Sequence, residues 1–192
     1  MKIGIIMHNT YLKSSRQIDY LYTNIYNKLR RKDVLVFGIK LDSNYEELID
    51  DFDGIIFEGG DIHEKYELLA LKYCYDNDIP TLGICLGMQL MGIMLGGYEE
   101  EVLNHSNINH DIIINDSSIL KQIYNKKIIN VNSRHNYVIK GVDRYVSAKD
   151  LYGNIEAIED GCKKFFLGVQ FHPEDMDPLI FDYFIEVLNE NK

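Results

Sequence analysis

From Lys2 to Ile84 the chain repeats one pattern: a short apolar run of strand length, then a longer stretch with apolar residues at helical spacing. "KIGIIM" (Lys2–Met7) is the first such run, and "RQIDYLYTNIYNKL" (Arg16–Leu29) carries the helical period after it. "VLVFGI", "DGIIFEGG" and "IPTLGI" continue as strands, with "YEELIDDF" and "EKYELLALKYCYDND" as the helices between them. Strands linked through helices pair in parallel and are covered on both faces. The expected class is therefore α/β, with a mainly parallel central sheet. From Asp111 the pattern changes to short strands joined by turn residues: "DIIIN", "KIINVN", "RYVSAK", "NIEAIE" and "FFLGVQF". These read as antiparallel additions at one side of the sheet. "PLIFDYFIEVLNE" then closes the chain as an amphipathic helix.

No internal repeat, low-complexity segment or Pro/Gly-rich linker divides the 192 residues. A single domain over 1–192 is expected, long enough to bury its own core. The net charge of -10 argues against nucleic acid as a partner, because phosphate binding needs a basic surface. No apolar run approaches the roughly 20 residues of a membrane span, and "MKIGIIMHNT" is too short and polar for a signal peptide. The three cysteines, Cys74, Cys85 and Cys162, form no disulfide framework, so a reducing cytoplasm is the natural compartment.

The rule that sites in such sheets lie outside the carboxyl ends of strands puts Gly59-Gly60 and Cys85 on one edge. Gly83-Ile84-Cys85-Leu86-Gly87 has the form of a nucleophile elbow with Cys in place of Ser. Cys85 would open the helix "LGMQLMGIML", where the dipole and free N–H groups favour a thiolate. The N–H of Leu86 would point at a developing oxyanion. "GVQFHPE" supplies a base, His172, with Glu174 two residues on; in a strand both would share one face, and Pro173 would restrict the backbone between them.

"GICLGMQ" together with "GVQFHPE" resembles the class I glutamine amidotransferases, which use a Cys-His-Glu triad. "FEGGDIHEKY", "VNSRHNY" and "GNIEAIEDG" are similar to the γ-glutamyl hydrolase, or peptidase C26-like, branch. The resemblance implies a flavodoxin-like three-layer fold, no cofactor and no bound metal. It makes Cys85 the nucleophile, His172 the general base and acid, and Glu174 its orienter. Gly59 and Gly60 would add a second oxyanion donor to that of Leu86. Gln89 matches a substrate-contacting Gln, and Ser133, Arg134 and His135 match the loop bordering the γ-glutamyl pocket. The implied reaction is attack on a γ-glutamyl carbonyl, loss of an amine or ammonia, and hydrolysis of a thioester.

Three positions depart from that branch. Leu86 stands where Arg is common, Arg134 where an aromatic residue is common, and Asn136 where a second His is common. Leu86 is instead the residue found in glutaminase subunits of synthetases. Two enzymatic readings follow: a γ-glutamyl hydrolase whose leaving amine carries an anionic group met by Arg134, or a glutaminase passing ammonia to a synthetase partner on another chain. A binding module retaining the fold is a third. Cys74 reads as core and Cys162 as a surface thiol. His105 and His110, with Asp111, lack a recognised metal-ligand spacing and read as solvated or core histidines. His63, after Asp61, is either a substrate contact or loop filler, and "YEEEV" (Tyr98–Val102) is a solvated face.

Overall fold

The computed structural model describes residues 1–60, 65–103 and 105–190, so Asp61 and His63 lie outside the described residues. The chain opens with β1 (Lys2–Ile6) and a hairpin of β2 (His8–Tyr11) and β3 (Gln17–Tyr20). Next come α1 (Thr23–Leu29), β4 (Leu35–Ile39), α2 (Tyr45–Asp50), β5 (Gly54–Phe57), α3 (Glu67–Asp76), β6 (Thr81–Ile84) and α4 (Leu86–Met94). The second half holds β7 (Tyr98–Glu101), β8 (Ile108–Ile114), α5 (Ile119–Tyr124), β9 (Ile128–Ser133) and β10 (Tyr137–Lys140). It ends with β11 (Val146–Asp150), β12 (Ile155–Glu159), β13 (Phe166–Val169) and α6 (Leu179–Glu190).

Nine strands form the main sheet in the order β4-β1-β5-β6-β13-β12-β11-β8-β9. The first five run parallel. The other four are antiparallel to their neighbours, an addition at one side as the sequence predicts, but "FFLGVQF", expected among those additions, is β13 and pairs parallel with β6 as the last strand of the parallel half. Alternate residues of a strand face opposite sides, and the core divides accordingly. Ile56, Leu167 and Val169 pack with Ile25, Leu29, Leu120, Phe181 and Phe184, from α1, α5 and α6. Ile55, Phe57 and Phe166 pack with Ile49, Leu71, Met88 and Met91, from α2, α3 and α4. The result is three layers: helices, sheet, helices.

The helix predicted over Arg16–Leu29 is only half present. Residues Gln17–Tyr20 pair with His8–Tyr11 as a hairpin, and the helix starts at Thr23. Ile18 and Tyr20 satisfy the two-residue period as well as the helical one, and both are good strand formers. Ser15 at φ 59° supplies the left-handed turn residue that closes the hairpin. The helical positions that reach the core, Ile25 and Leu29, lie entirely within α1. The acidic stretch behaves as expected: β7 is exposed throughout and pairs only with β10 in a separate ribbon.

Candidate active site

Strand β6 ends in a sharp turn at Cys85, whose backbone sits at φ 52°, ψ −102° immediately before α4. A non-glycine residue holds such a conformation only when its surroundings over-determine it. They do here. The Cys85 N–H donates to the Val169 carbonyl at 2.8 Å, and the neighbouring elements leave no room for side chains beside it. A Cβ on Gly87 would lie 2.1 Å from the Phe57 carbonyl oxygen, and one on Gly83 would lie 2.8 Å from the Gly87 carbonyl carbon. The two glycines of the G-x-C-x-G pattern thus let α4 press against the ends of β5 and β6. α4 itself is buried from Leu86 to Gly92, as a helix apolar all round except for Gln89 is expected to be.

Strands β5, β6 and β13 pair in register, so their carboxyl ends emerge side by side. Gly59-Gly60 follows β5, Cys85 follows β6 and His172 follows β13. All four, with Glu174 and Arg134, line one cavity of about 230 Å³. A Cβ on Gly59 would come within 3.0 Å of the His172 ring, so glycine is what allows the backbone this close.

The Nδ1 of His172 lies 2.7 Å from Glu174 Oε1, both groups buried. The expected means of bringing them together needs correction. β13 ends at Val169, and Glu174 lies in a single 3₁₀ turn, Pro173–Asp175, that begins at Pro173. A proline opens such a turn well because its φ is preset and it has no N–H to leave unpaired. The turn, not strand alternation, carries the carboxylate to the imidazole.

Burial is the largest influence on His172 and would lower its pKa. Hydrogen bonds to Cys85 and Glu174, and the charges of both, outweigh it and raise the pKa to about 10. Removing one partner should show. In Cys85→Ala the imidazole is expected to titrate at lower pH than in the wild type, followed by NMR on ¹⁵N-labelled histidine; equal midpoints would refute the coupling. The sign for stability follows. A histidine whose pKa is raised on folding stabilises fully below about 6.5, and that contribution is lost as pH rises through about 10.

Several residues around this centre were not anticipated. The Asn132 side chain bonds both ways with the His172 backbone: its Oδ1 accepts from the N–H at 2.8 Å, and its Nδ2 donates to the carbonyl at 2.9 Å. Gln170, fully buried, aims its Nε2 at Cys85 Sγ at 3.8 Å. Its position two residues before His172 is the signal that could have singled it out. Tyr22, Asn24 and Asp175 complete the cavity wall. The Tyr22 N–H donates to Glu58 Oε2 at 3.0 Å, which ties the start of α1 to the end of β5. Burial pushes the Glu58 carboxyl up to about 7, against the opposing effects of Tyr22 and His8.

The other expected contacts separate. Gln89 is buried behind Cys85, donating to the Tyr137 carbonyl at 3.1 Å and to Gln170 Oε1 at 3.4 Å. Arg134 lines the cavity, but its guanidinium is paired with Asp175, which also accepts from Asn24 at 2.7 Å. Ser133 and His135 do not line this cavity. The Ser133 hydroxyl donates to the His105 carbonyl, and His135 Nδ1 lies 2.9 Å from the Tyr137 carbonyl. Asn132 and Arg134 face one side while Ser133 and His135 face the other, the alternation of extended chain. Burial holds the His135 imidazole down to about 4.

His105 is buried and His110 half-buried. They meet His135 and Glu156, whereas Asp111 turns outward and accepts from Asn130 at 2.8 Å. Cys74 is core, its thiol pushed up to about 12 by burial, and Cys162 is exposed. No helix among the described residues is long and apolar enough to cross a membrane.

Residues 18–178 match the profile of the family "Glutamine amidotransferase class-I". The CTP synthase of Porphyromonas gingivalis (strain ATCC BAA-308 / W83) is 29% identical over 88% of this chain and 40% of its own length. That of Thermosipho africanus is 27% identical over 91% of this chain and 42% of its own length. The chain thus spans about two fifths of these relatives. Among solved structures, a Trypanosoma brucei CTPS glutaminase domain with bound acivicin superposes at a TM-score of 0.80 and 20% identity, covering 98% of this chain and 94% of that one. A Thermoplasma acidophilum protein assigned as a GMP synthase subunit gives 0.78 and 22%, covering 100% and 95%.

Proposed function

The chain belongs to the class I glutamine amidotransferases, and from that premise we propose that it hydrolyses the side-chain amide of glutamine at Cys85 and supplies the ammonia to a synthetase. The observation that carries this reading is Cys85 on its strained turn, sharing one cavity with a His172 that Glu174 holds from behind.

The chemistry follows. Cys85 gives its proton to His172 and its Sγ attacks the amide carbon, and the displaced electron pair goes to oxygen, where backbone N–H groups at Leu86 and the Gly59-Gly60 segment can meet it. His172 gives a proton to the departing nitrogen, ammonia leaves, and a γ-glutamyl thioester remains. His172 then takes a proton from water, whose oxygen attacks the thioester carbon, and returns that proton to the departing sulfur, so glutamate leaves and the thiol is restored. Glu174 holds the imidazole in orientation and stabilises its charged form.

Glutamine is favoured over a bulkier γ-glutamyl amide on two grounds. The cavity, at about 230 Å³, falls below the roughly 300–1,000 Å³ of drug-sized pockets. Arg134, the residue that would read an anionic leaving group, already has a carboxylate partner in Asp175. The likeness to CTP synthases and to a GMP synthase subunit supports a synthetase as the consumer of ammonia. The test is glutamate and ammonia release by the purified chain on glutamine and on a panel of γ-glutamyl amides. Equal yields of the two products from glutamine are expected. Turnover of substituted amides with none on glutamine would restore the γ-glutamyl hydrolase reading, and none on any substrate would favour a binding module.

Arg134 gives a sharper comparison. Its ion pair is about half exposed, and such pairs are worth about 0.2–1 kcal/mol. Arg134→Ala is therefore expected to lower kcat/KM by no more than about fivefold, equally on glutamine and on γ-glutamyl amides with anionic leaving groups. A loss above about tenfold confined to the anionic amides would make Arg134 a reader of the leaving group.

A further inference from the structure

Four buried or half-buried side chains from distant parts of the sequence converge behind the loop that carries Arg134. They are His105 before β8, His110 within it, His135 between β9 and β10, and Glu156 in β12. One ligating atom from each lies within 4.8 Å of all the others. Glu156 Oε1 is 3.2 Å from His105 Nε2 and 3.7 Å from both His110 Nε2 and His135 Nε2. The rings crowd together, with centroids 4.6 Å apart for His105–His110 and 4.7 Å for His105–His135.

His105 Nε2 and Glu156 Oε1 form one hydrogen bond within the group at 3.2 Å, and around it lone pairs are left unmet. A carbonyl oxygen can only accept, so the contact with Tyr137 puts the His135 proton on Nδ1. In the neutral ring Nε2 is then a bare lone pair, turned towards a carboxylate. His135 Nε2, His110 Nε2 and Glu156 Oε2 are all buried with no hydrogen-bond partner among the described residues. Buried acceptors brought this close repel one another unless a proton or a cation lies between them, and one hydrogen bond leaves the other histidines unmatched.

We propose that His105, His110, His135 and Glu156 bind one Zn²⁺ ion, at a site separate from the Cys85 cavity. Three imidazoles and a carboxylate suit a borderline-soft ion; Mg²⁺ and Ca²⁺ prefer sites made of oxygen. Zinc bonds of about 2.0–2.2 Å in a tetrahedron require ligand atoms about 3.3–3.5 Å apart, so the contacts to Glu156 Oε1 at 3.2 and 3.7 Å already fit, and the remaining separations, within 4.8 Å, close by up to about 1.5 Å through side-chain rotation. The bond from His135 Nδ1 to the Tyr137 carbonyl is the outer-shell contact that fixes a ligating imidazole in its tautomer. A cavity of about 590 Å³, lined in part by His105, His110 and Tyr152, opens onto the cluster and gives the ion a path from solvent. The ion would join β8, β12 and the β9–β10 loop.

The test uses protein purified without a metal-binding tag. Elemental analysis is expected to find about one zinc per chain in the wild type and below about 0.1 in His110→Ala and Glu156→Gln. After chelator stripping, zinc at about 100 times its Kd should raise the wild-type Tm by roughly 5–10 °C and leave His110→Ala unmoved. Cobalt in place of zinc should give the intense visible absorption of a tetrahedral site. Should a variant fail to fold, the stripped wild type decides alone, by its zinc-dependent Tm and cobalt spectrum. A wild type that neither retains zinc nor responds to it, or a His110→Ala variant with the same stoichiometry and shift, would overturn the proposal.

Discussion

Cys85→Ala is expected to abolish turnover of glutamine, by about 10⁴-fold or more, while leaving the fold intact. The size follows from the chemistry: without sulfur there is no thioester, and water must attack an unactivated amide directly. The fold survives because Cys85 is small and its strained backbone is held by the Val169 carbonyl and the packing of α4, not by its sulfur. Alanine has no side chain for that turn to reject beyond the Cβ that cysteine already has. The wild type, quenched during turnover of a slow γ-glutamyl substrate, should carry a glutamyl mass on the peptide containing Cys85. Intact-mass analysis and peptide mapping check this. An adduct on Cys74 or Cys162 instead, or undiminished turnover in the variant, would remove Cys85 from the mechanism.

Gly87→Ala is expected to damage structure and activity together. The added methyl would sit 2.1 Å from the Phe57 carbonyl oxygen, which belongs to the backbone of a fully buried strand and cannot swing aside. Either α4 or β5 must shift. Overpacking of this kind costs about 1–3 kcal/mol or more, which for a chain of this length lowers Tm by roughly 3–12 °C. Because Cys85 opens α4, any shift of the helix also moves the thiol relative to His172, and a 1 Å displacement can cost about 100-fold in rate. Gly161→Ala is the control, since nothing lies within 4 Å of a Cβ there and its backbone is not in the left-handed region. Thermal melts and glutaminase assays on both variants decide the matter. A Gly87→Ala protein as stable and as active as Gly161→Ala would refute the packing account of the elbow.

The sequence was most legible where one local pattern served one purpose. The G-x-C-x-G spacing pointed to a turn with helix and strand in close contact, and the glycine contacts at Gly83 and Gly87 are that contact. The change from helix-linked to turn-linked strands near Asp111 marked the change to antiparallel pairing for β8, β9, β11 and β12, but not for β13, which turns back to pair parallel with β6. Legibility failed where two periods fitted the same residues, as at Ile18 and Tyr20, and tertiary pairing chose the strand. It failed again wherever the relation was purely spatial. Nothing local marks Asn132 as the partner of the His172 backbone 40 positions away. Likewise His105, His110, His135 and Glu156 have no informative spacing, because sheet pairing and an intervening loop bring them together. His135 illustrates the difficulty well: its neighbour Arg134 reaches the Cys85 cavity, yet side-chain alternation turns His135 the other way.

The bond pair between Asn132 and His172 has a consequence for how the protein fails. β9 is the outermost strand of the sheet, hydrogen-bonded on one side only, by β8. Border strands open by local fraying at a fraction of the free energy that global unfolding needs. Here the border strand grips the backbone of the proposed general base through Asn132, although His172 itself follows β13, beside Cys85 in the sheet's parallel half, so one support of the base sits in a region that opens more easily than the strands carrying the reacting groups. Warming or mild denaturant would release that support and loosen the base's backbone while most of the sheet still resisted amide exchange, and inactivation would run ahead of melting.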